Sequence, residues 1–297
     1  MELYAQHLQA HLQAVEEALP GYLPASGGLQ AVVEEAMGYA CAAGGKRLRP
    51  VLLLEFCRIC GGQTAQAMPF ACALEMIHSY SLVHDDMPCM DDSPLRRGRP
   101  SVHAAYGEDM ALLAGDALLN RAFETMLSPA NTQDLPAQTV LRAAFVLADA
   151  AGIRGMVGGQ TIDLQYEHRQ ADLAVLEQLQ DGKTAALMIA ACEMGARLGG
   201  GPPEQIEAAR RFGRETGLCF QIVDDILDVT SSAQTLGKPT GGDAALAKNT
   251  YVSLLGLEGA RRLAGQRTRE ALAALEVFGD AAQELRGLAA ALLERKK

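Results

Sequence analysis

One segment of the chain reads Phe220-Gln221-Ile222-Val223-Asp224-Asp225-Ile226-Leu227-Asp228-Val229. At the helical period Gln221, Asp224 and Asp228 fall on one stripe, because they are spaced by three and four residues. Most other positions are Ile, Val or Leu and predict burial. Carboxylates stacked one turn apart repel each other, so the stripe is favourable only with a cation between them. The segment therefore predicts a buried helix that carries a site for hard cations such as Mg²⁺, Ca²⁺ or Mn²⁺.

A second acidic cluster, nearer the N-terminus, reads Asp85-Asp86-Met87-Pro88-Cys89-Met90-Asp91-Asp92. The apolar sequence from Phe70 to Asp85 predicts a helix that ends at this cluster. Proline disfavours helical geometry at Met87, so the chain should leave the helix near Pro88. A loop after Pro88 would then fold Asp91 back beside Asp85. With this loop, the first cluster also predicts a cation site.

The composition predicts an all-α protein. Of the 297 residues, 49% are apolar and only 5% are aromatic, and Trp is absent. Ala and Leu dominate and favour helices, whereas runs of Val, Ile, Thr and Tyr typical of strands are nearly missing. Glycine and proline divide the chain into helices, with Pro20-Gly21 and Pro24 to Gly28 ending the first one. We expect one helical bundle without a substantial sheet, residues 1–297 forming a single domain.

Charge and cysteine content narrow the function classes. The chain has 26 basic and 36 acidic residues, a net charge of −10, which argues against general binding of nucleic acid or anionic membranes. The seven cysteines follow no disulfide pattern, and we interpret Cys57 and Cys60 as buried thiols rather than a redox or zinc pair. No apolar run is long enough to insert in a membrane. We expect a cytoplasmic protein.

Basic residues accompany both acidic clusters. They are Lys46, Arg49, Arg96, Arg97, Arg99, Lys183 and Lys238. Basic side chains together with carboxylate-bound Mg²⁺ hold phosphate oxygens in proteins that lack a glycine-rich phosphate loop, and neither common nucleotide motif is present. The expected ligand is a diphosphate. Such a site makes the diphosphate a leaving group when the organic half forms a stable cation, as an allylic group does.

Five motifs carry a resemblance to a known family. They are Gly44-Gly45-Lys46-Arg47-Leu48-Arg49-Pro50, His84-Asp85-Asp86 continuing to Arg97-Gly98, Gly159-Gln160-Thr161-Ile162-Asp163, Lys183-Thr184, and the segment from Phe220 to Asp228. In order and spacing they resemble the trans-isoprenyl diphosphate synthases. The interval between Asp86 and Asp91, with its proline, resembles the bacterial farnesyl diphosphate synthase (geranyltranstransferase) subgroup.

The resemblance implies an all-helical fold of the isoprenoid synthase type around a central cavity, in a homodimer. It implies a prenyltransferase that condenses isopentenyl diphosphate with dimethylallyl or geranyl diphosphate. Three Mg²⁺ ions would be bound with substrate, and Mn²⁺ would be able to replace them. By this resemblance Asp85 and Asp91 bind two of the ions and Asp224 the third, and Asp86 and Asp228 support them indirectly.

The resemblance also assigns the substrate contacts. The allylic diphosphate would be held by Arg96, Lys183 and Lys238, and isopentenyl diphosphate by Lys46, Arg49, His78 and Arg97. The Lys183 carbonyl, Thr184 and Gln221 would face the allylic cation. The catalytic set is thus Asp85, Arg96, Lys183, Thr184, Gln221 and Asp224. Without the resemblance, His78 is better interpreted as a hydrogen-bonded core residue.

Two residues bear on product length. The resemblance places the length-determining positions at Tyr80 and Ser81, just before the first cluster. Tyr80 lies about 7 to 8 Å from Asp85 along a helix, where an aromatic ring would form a cavity floor. The expected product is farnesyl diphosphate. The alternative is that Tyr80 packs on a neighbouring helix and touches no substrate.

Other functions remain open at this point. They are a geranyl or geranylgeranyl diphosphate synthase, a terpene cyclase, a metal phosphohydrolase built on His84-Asp85, and a noncatalytic regulatory subunit. The basic residues Arg295, Lys296 and Lys297 would either close over a diphosphate or stay solvated, and the solvated state is the expectation for a chain end.

Overall fold

The computed structural model describes residues 6–167, 169–230 and 249–295. Their helices are α1 (Gln6–Tyr22), α2 (Ala31–Cys41), α3 (Leu48–Ile59), α4 (Thr64–Asp85), α5 (Val102–Tyr106), α6 (Glu108–Leu127), α7 (Pro129–Thr132), α8 (Ala137–Ala151), α9 (Met156–Tyr166), α10 (Leu173–Gln180), α11 (Ala186–Leu198), α12 (Pro203–Thr230), α13 (Tyr251–Ala274) and α14 (Gln283–Glu294). A π-helical turn spans Asp181–Ala185 and a 3₁₀ helix spans Glu276–Ala282. None of these described helices is both long and apolar enough to cross a bilayer.

The strands of the described ranges form a single short hairpin. It joins β1 (Leu95–Arg96) to β2 (Arg99–Pro100) in antiparallel register, and it directly follows the first acidic cluster. The remainder of the regular structure is helical. The prediction of an all-α fold is therefore confirmed.

The helix that leads into the first acidic cluster is buried along most of its length. α4 is apolar on nearly all sides, and it packs against α3, α6 and α11. Phe70, Leu74 and Ile77 are fully buried in the main core. The helix begins at Thr64 rather than at the predicted Phe70. The first acidic cluster therefore lies at the end of a buried helix.

Helix ends follow glycine and proline at most of the predicted positions. α3 ends at Ile59 before Gly61, and α12 begins at Pro203, where a missing backbone N–H costs nothing in the first turn. The first helix also ends in the predicted stretch. α1 continues through Pro20 and ends at Tyr22, before Pro24, since a proline this close to the helix end removes only one hydrogen bond.

The helix of the second acidic cluster runs beside the main core. α12 packs against α11, α13 and α14. A smaller apolar cluster that includes Ile222, Leu227 and Tyr251 joins α12 to the start of α13. α13 begins with a capping box in which Thr250 and Ser253 each bond the other's backbone N–H. These contacts fix the direction in which the second cluster points.

An exposed apolar face runs over two neighbouring helices, α6 and α8. Leu112 and Leu113 on α6 are each 47% exposed, and on α8 Leu141 is 59% and Phe145 64% exposed. Contiguous exposed apolar side chains of this kind mark contact surfaces.

Candidate active site

A cavity of about 880 Å³ opens between the two acidic clusters. The predicted site residues that line it are Lys46, Arg49, His78, Tyr80, Ser81, Asp85, Arg96, Arg97, Lys183, Thr184, Gln221 and Asp224. Lys238 lies outside the described residues. The cavity wall also includes apolar side chains such as Leu82, Leu187 and Met188. Acidic, basic and apolar groups thus meet around one space.

The first acidic cluster lies where α4 ends. The helix stops at Asp85, and the backbone N–H of Asp91 donates to the Asp85 carbonyl at 2.9 Å. The predicted return of the chain after Pro88 is therefore confirmed. Burial raises the pKa of Asp85, and the charge of Asp91 adds to this rise while Lys183 opposes it. Carboxylates in this setting favour a cation that offsets their repulsion.

The Asp86 side chain does not line the cavity, in contrast to that of Asp85. Its side chain is 3% exposed and forms an ion pair with Arg96. The Arg96 Nε lies 3.1 Å from Asp86 Oδ1 and 3.0 Å from Oδ2. Asp86 therefore holds Arg96 at the cavity wall, and any support that Asp86 gives to metal ions passes through this pair.

The second cluster offers two carboxylates on one face of α12. Asp224 lines the cavity, with 42% of its side chain exposed. One turn further, Asp228 is buried, and its Oδ2 atom has no hydrogen-bond partner among the described residues. A buried carboxylate oxygen without a partner is costly unless a ligand or cation completes it.

Asp225 has a different environment from its neighbours. It is buried, its Oδ2 accepts the Tyr251 backbone N–H at 2.8 Å, and its Oδ1 accepts Gln221 Nε2 at 2.9 Å. These bonds join the start of α13 to α12 and orient the Gln221 amide. Asp225 is thus a structural residue that also positions a cavity-lining side chain.

The donor set fits divalent cations that share their ligands with a substrate. Within the described ranges, no three His, Cys, Asp or Glu side chains surround one point closely enough to hold a metal by themselves. Mg²⁺ is commonly bound through one or two carboxylates together with substrate phosphates. Asp85, Asp224 and the unpartnered Asp228 oxygen provide protein ligands of that kind.

Arg47 anchors the loop that carries two predicted substrate contacts. It adopts a left-handed conformation with φ of 46° at the start of α3 and is 4% exposed. Its guanidinium donates to Glu16 at 2.7 Å, to Glu75 at 2.6 Å and to the Cys41 carbonyl at 2.6 Å. The sequence motif contains Arg47, but its structural role was not predicted.

Arg49 and His78 form a half-buried corner of the cavity. Burial lowers the pKa of Arg49, and the Arg49 Nε has no hydrogen-bond partner within the described part of the chain. Burial and the charge of Arg49 hold the pKa of His78 well below its usual value, so His78 is neutral at pH 7. Unpartnered buried donors of this kind fit an anionic ligand.

Lys183 lies on the π-helical turn and pairs with Asp163 of α9, with Nζ 2.5 Å from Oδ2. Burial disfavours the charged amine, but Asp163 and Asp85 outweigh it and raise the pKa of Lys183. Gly159 permits the close approach, because a Cβ there would lie 2.1 Å from the Lys183 backbone nitrogen. Rare π turns often occur at functional sites.

Asp163 belongs to one of the sequence motifs, but the sequence alone predicted no role for it. The available signal was its four-residue spacing from Gly159, which places a small residue and a carboxylate on one face of a helix. The partner of that face, Lys183, is far along the chain and was not evident from the local pattern.

Thr184 and Gln221 meet across the cavity wall. The Thr184 hydroxyl lies 2.8 Å from Gln180 Oε1 and 3.3 Å from Gln221 Oε1. Because Asp225 holds the other end of the Gln221 amide, the amide oxygen is directed towards Thr184. The pair offers oriented oxygen atoms where the π turn meets α12.

The Tyr80 side chain lines the cavity. Its ring meets that of His84 edge to face, with centroids 5.8 Å apart. His84 Nε2 lies 3.2 Å from the Leu112 carbonyl. A Cβ at Gly115 would lie 2.0 Å from the same nitrogen, so glycine leaves the room that the His84 imidazole needs. The Ser81 hydroxyl donates to the His78 carbonyl at 2.8 Å.

The expectation that Arg295 is solvated is wrong. Its side chain is only 6% exposed, and its guanidinium lies over the Phe220 ring, 4.0 Å from the centroid. The fold returns α14 to α12, which the sequence pattern did not reveal. Lys296 and Lys297 lie outside the described residues.

A larger cavity, of about 1120 Å³, lies between α8, α9, α11 and α12. Its lining includes exposed apolar residues such as Phe145 and Ile153, and no aspartate of either acidic cluster. Because its lining lacks the paired carboxylates, the smaller cavity is the candidate active site.

Comparisons with known proteins agree with this geometry. Residues 30–283 match the sequence profile described as polyprenyl synthetase. A curated relative, geranylgeranyl pyrophosphate synthase 9 from Arabidopsis thaliana, is 50% identical over 76% of the chain. The chain spans about 63% of the length of that relative.

Two solved structures share nearly the whole fold. An FPP/GFPP synthase from Zymomonas mobilis is 37% identical with a TM-score of 0.85, the alignment covering 96% of this chain and 97% of the other. A geranyltransferase from Legionella pneumophila is 31% identical with a TM-score of 0.84, covering 97% and 96%. The helical bundle and its central cavity are therefore those of the isoprenoid synthase fold.

Proposed function

Because the chain belongs to the polyprenyl synthetase family, we propose that it is a short-chain prenyltransferase. In this proposal it joins isopentenyl diphosphate to dimethylallyl or geranyl diphosphate. The observation that carries the proposal is the single cavity in which Asp85 and Asp224 share a space with Lys46, Arg49 and Lys183. Two diphosphates and a hydrocarbon chain would find complementary groups in that space.

Asp85, Asp91 and Asp224 would hold three Mg²⁺ ions together with the allylic diphosphate, and Mn²⁺ would substitute. The ions would supply the positive charge that makes the diphosphate a good leaving group. Asp86 and Asp228 would support this arrangement, Asp86 through Arg96 and Asp228 through its unpartnered buried oxygen.

The basic residues would divide between the two substrates. We assign Arg96, Lys183 and Lys238 to the allylic diphosphate, and Lys46, Arg49, His78 and Arg97 to isopentenyl diphosphate. The division follows position in the fold, because Lys183 feels the charge of Asp85 while Arg49 and His78 form a separate half-buried corner. Neutral His78 would act as a hydrogen-bond donor rather than as a charge.

The remaining residues would stabilise and shield the allylic cation. The Thr184 hydroxyl, the Gln221 amide oxygen and the Lys183 carbonyl would direct negative dipoles at it. The apolar wall, which includes Leu187 and Met188, would exclude water that would otherwise capture the cation. After the new carbon–carbon bond forms, the departed diphosphate would take the proton that completes the reaction.

Product length is the finer part of the proposal. Tyr80 is backed by His84 and α6, so the ring would form a firm floor that stops growth at farnesyl diphosphate. Geranylgeranyl diphosphate is the second candidate, because a relative with 50% identity is named for that product.

Product analysis tests both parts of the proposal. Labelled isopentenyl diphosphate is incubated in excess with dimethylallyl, geranyl or farnesyl diphosphate, and the dephosphorylated products are separated by chromatography. We expect a fifteen-carbon product from the first two primers and little extension of the third. A twenty-carbon main product would favour the second candidate, and the absence of any prenyl product would contradict the prenyltransferase itself.

We also propose a homodimer that forms through the exposed apolar face of α6 and α8. Support comes from Leu141 and Phe145, whose exposure would be unfavourable in a monomer. Light scattering should give the mass of a dimer for the wild type. Phe145→Glu should give a monomer, while Arg261→Glu, on an exposed part of α13, should leave the dimer intact. A monomeric wild type would contradict the proposal.

Residues 1–297 are proposed to act as one domain in a reducing, cytoplasmic environment. The main apolar core includes residues from α1 to α14, which supports a single folding unit. All seven cysteines are described and unpaired, and five of them are buried, which supports a reducing compartment. A single cooperative melting transition, unchanged by a reducing agent, is the expected observation.

A further inference from the structure

Arg295 makes contacts that the proposed reaction does not explain. It is the last described residue and follows the end of α14. Its Nη2 donates to the Phe220 carbonyl at 2.7 Å and to Asp224 Oδ1 at 2.6 Å. With the guanidinium stacked on the Phe220 ring and 6% of the side chain exposed, Arg295 has a defined position.

The partner of Arg295 is the cavity-lining carboxylate of the second cluster. A guanidinium 2.6 Å from Asp224 Oδ1 neutralises that oxygen and repels a divalent cation that approaches it. The ion pair therefore satisfies Asp224 Oδ1, and a cation that coordinates this oxygen has to displace the guanidinium. Metal coordination by Asp224 Oδ1 and the observed position of Arg295 compete with each other.

The position of Arg295 is also unfavourable in part, which makes its release feasible. Its Nε is buried without a hydrogen-bond partner among the described residues. The Lys46 amine lies over the same Phe220 ring, 5.3 Å from the centroid, so two cations share one ring. The charge of Arg295, after burial itself, lowers the pKa of Lys46. Release of Arg295 would relieve this repulsion.

We propose that Arg295 is a resting-state counter-charge for Asp224, which divalent cations displace when a diphosphate binds. The C-terminal end of α14 thereby sets the metal concentration that the second cluster requires. The inference rests on the proposed function, because it needs Asp224 to be a metal ligand. It concerns control of the site and leaves the chemistry unchanged.

The test is calorimetric titration of inorganic diphosphate at a series of Mg²⁺ concentrations, without turnover. Arg295→Gln removes the charge and keeps an amide that is able to donate to the Phe220 carbonyl. Arg286→Gln is the matched control, because Arg286 lies on the same helix and donates to the Gly279 and Leu275 carbonyls instead. For Arg295→Gln we expect half-maximal diphosphate binding at about fivefold lower Mg²⁺, the scale of one partly exposed ion pair. The control should match the wild type.

The outcomes are separable. An unchanged Mg²⁺ requirement in Arg295→Gln would overturn the inference, and so would a higher requirement, which would make Arg295 a diphosphate ligand. The gain must also disappear in the background of Asp224→Asn, where no charge pair exists; a gain that persists there would overturn the inference too. If the wild type shows no metal-dependent diphosphate binding, the proposed function fails first.

Discussion

The two acidic clusters begin with the same pair of residues and use it in the same way. In each, the first aspartate, Asp85 or Asp224, lines the cavity. The second, Asp86 or Asp225, is buried and bonds a protein group. Neighbouring residues on a helix point about 100° apart, so one Asp-Asp pair supplies both a ligand and an anchor.

The clusters differ in how each obtains its third carboxylate. In the first, the chain leaves the helix, and a loop bonds the Asp91 backbone to the Asp85 carbonyl. In the second, the helix continues, and Asp228 follows Asp224 by one turn on the buried side. The first cluster is therefore shaped by loop hydrogen bonds, while the second is shaped by a continuous helix and contacts Arg295.

The largest expected effect concerns the first aspartate of each pair. Asp85→Ala and Asp224→Ala should each lower turnover by about 10² to 10³, the usual loss for one strong electrostatic contact in a transition state. Asp92→Ala should have a milder effect, because Asp92 is not among the proposed metal ligands. Single-turnover rates measured at saturating Mg²⁺ check this. Near-normal turnover by Asp224→Ala would show that the second cluster has a structural role and does not act like the first.

A smaller effect is expected at two basic residues of the cavity wall, Lys46 and Arg49. Lys46→Ala and Arg49→Ala should raise KM for isopentenyl diphosphate by about tenfold, because each removes a charged contact. KM for the allylic substrate should change little. Steady-state kinetics with each substrate varied in turn provide the measurement. If both constants rise equally in every variant, the basic residues do not divide between two diphosphates.

Asp225, the second aspartate of the second pair, should affect stability rather than metal use. Asp225→Ala leaves the buried Tyr251 N–H without its acceptor, which should lower the free energy of unfolding by about 1 to 3 kcal/mol. The Mg²⁺ requirement for diphosphate binding should remain that of the wild type. Denaturant unfolding and calorimetry measure the two quantities. A large rise in the Mg²⁺ requirement without loss of stability would contradict the division into ligand and anchor.

Substitution of Tyr80, five residues before Asp85, should have the smallest effect on rate and a clear effect on product length. Tyr80→Ala should open the cavity floor and allow products longer than fifteen carbons, at little cost to ionisation. Tyr80→Phe is the matched control, because it keeps the ring against His84. Chromatography of products formed with excess isopentenyl diphosphate distinguishes them. If Tyr80→Ala is active and its product length is unchanged, Tyr80 does not form the cavity floor.

Local sequence patterns predicted the helices and most of the cavity lining. The three- and four-residue spacing in Phe220–Val229 and the break at Pro88 depend only on near neighbours, and both appear in the structure. Contacts between distant segments were not evident. Asp163 meets Lys183 through a glycine crossing, and Arg295 reaches Asp224 because α14 folds back on α12. No periodicity within one helix specifies its partner across the bundle.

The synthesis of labelled prenyl diphosphate is measured before and after divalent cations are removed. This measurement tests whether the two clusters form a metal-dependent site that ionises an allylic diphosphate. The protein is treated with a chelator, desalted, and given labelled isopentenyl diphosphate with geranyl diphosphate. We predict no product until Mg²⁺ or Mn²⁺ is restored, and full activity afterwards, since the basic residues alone do not offset the substrate charge. Full turnover by the chelated, metal-free protein would contradict the mechanism.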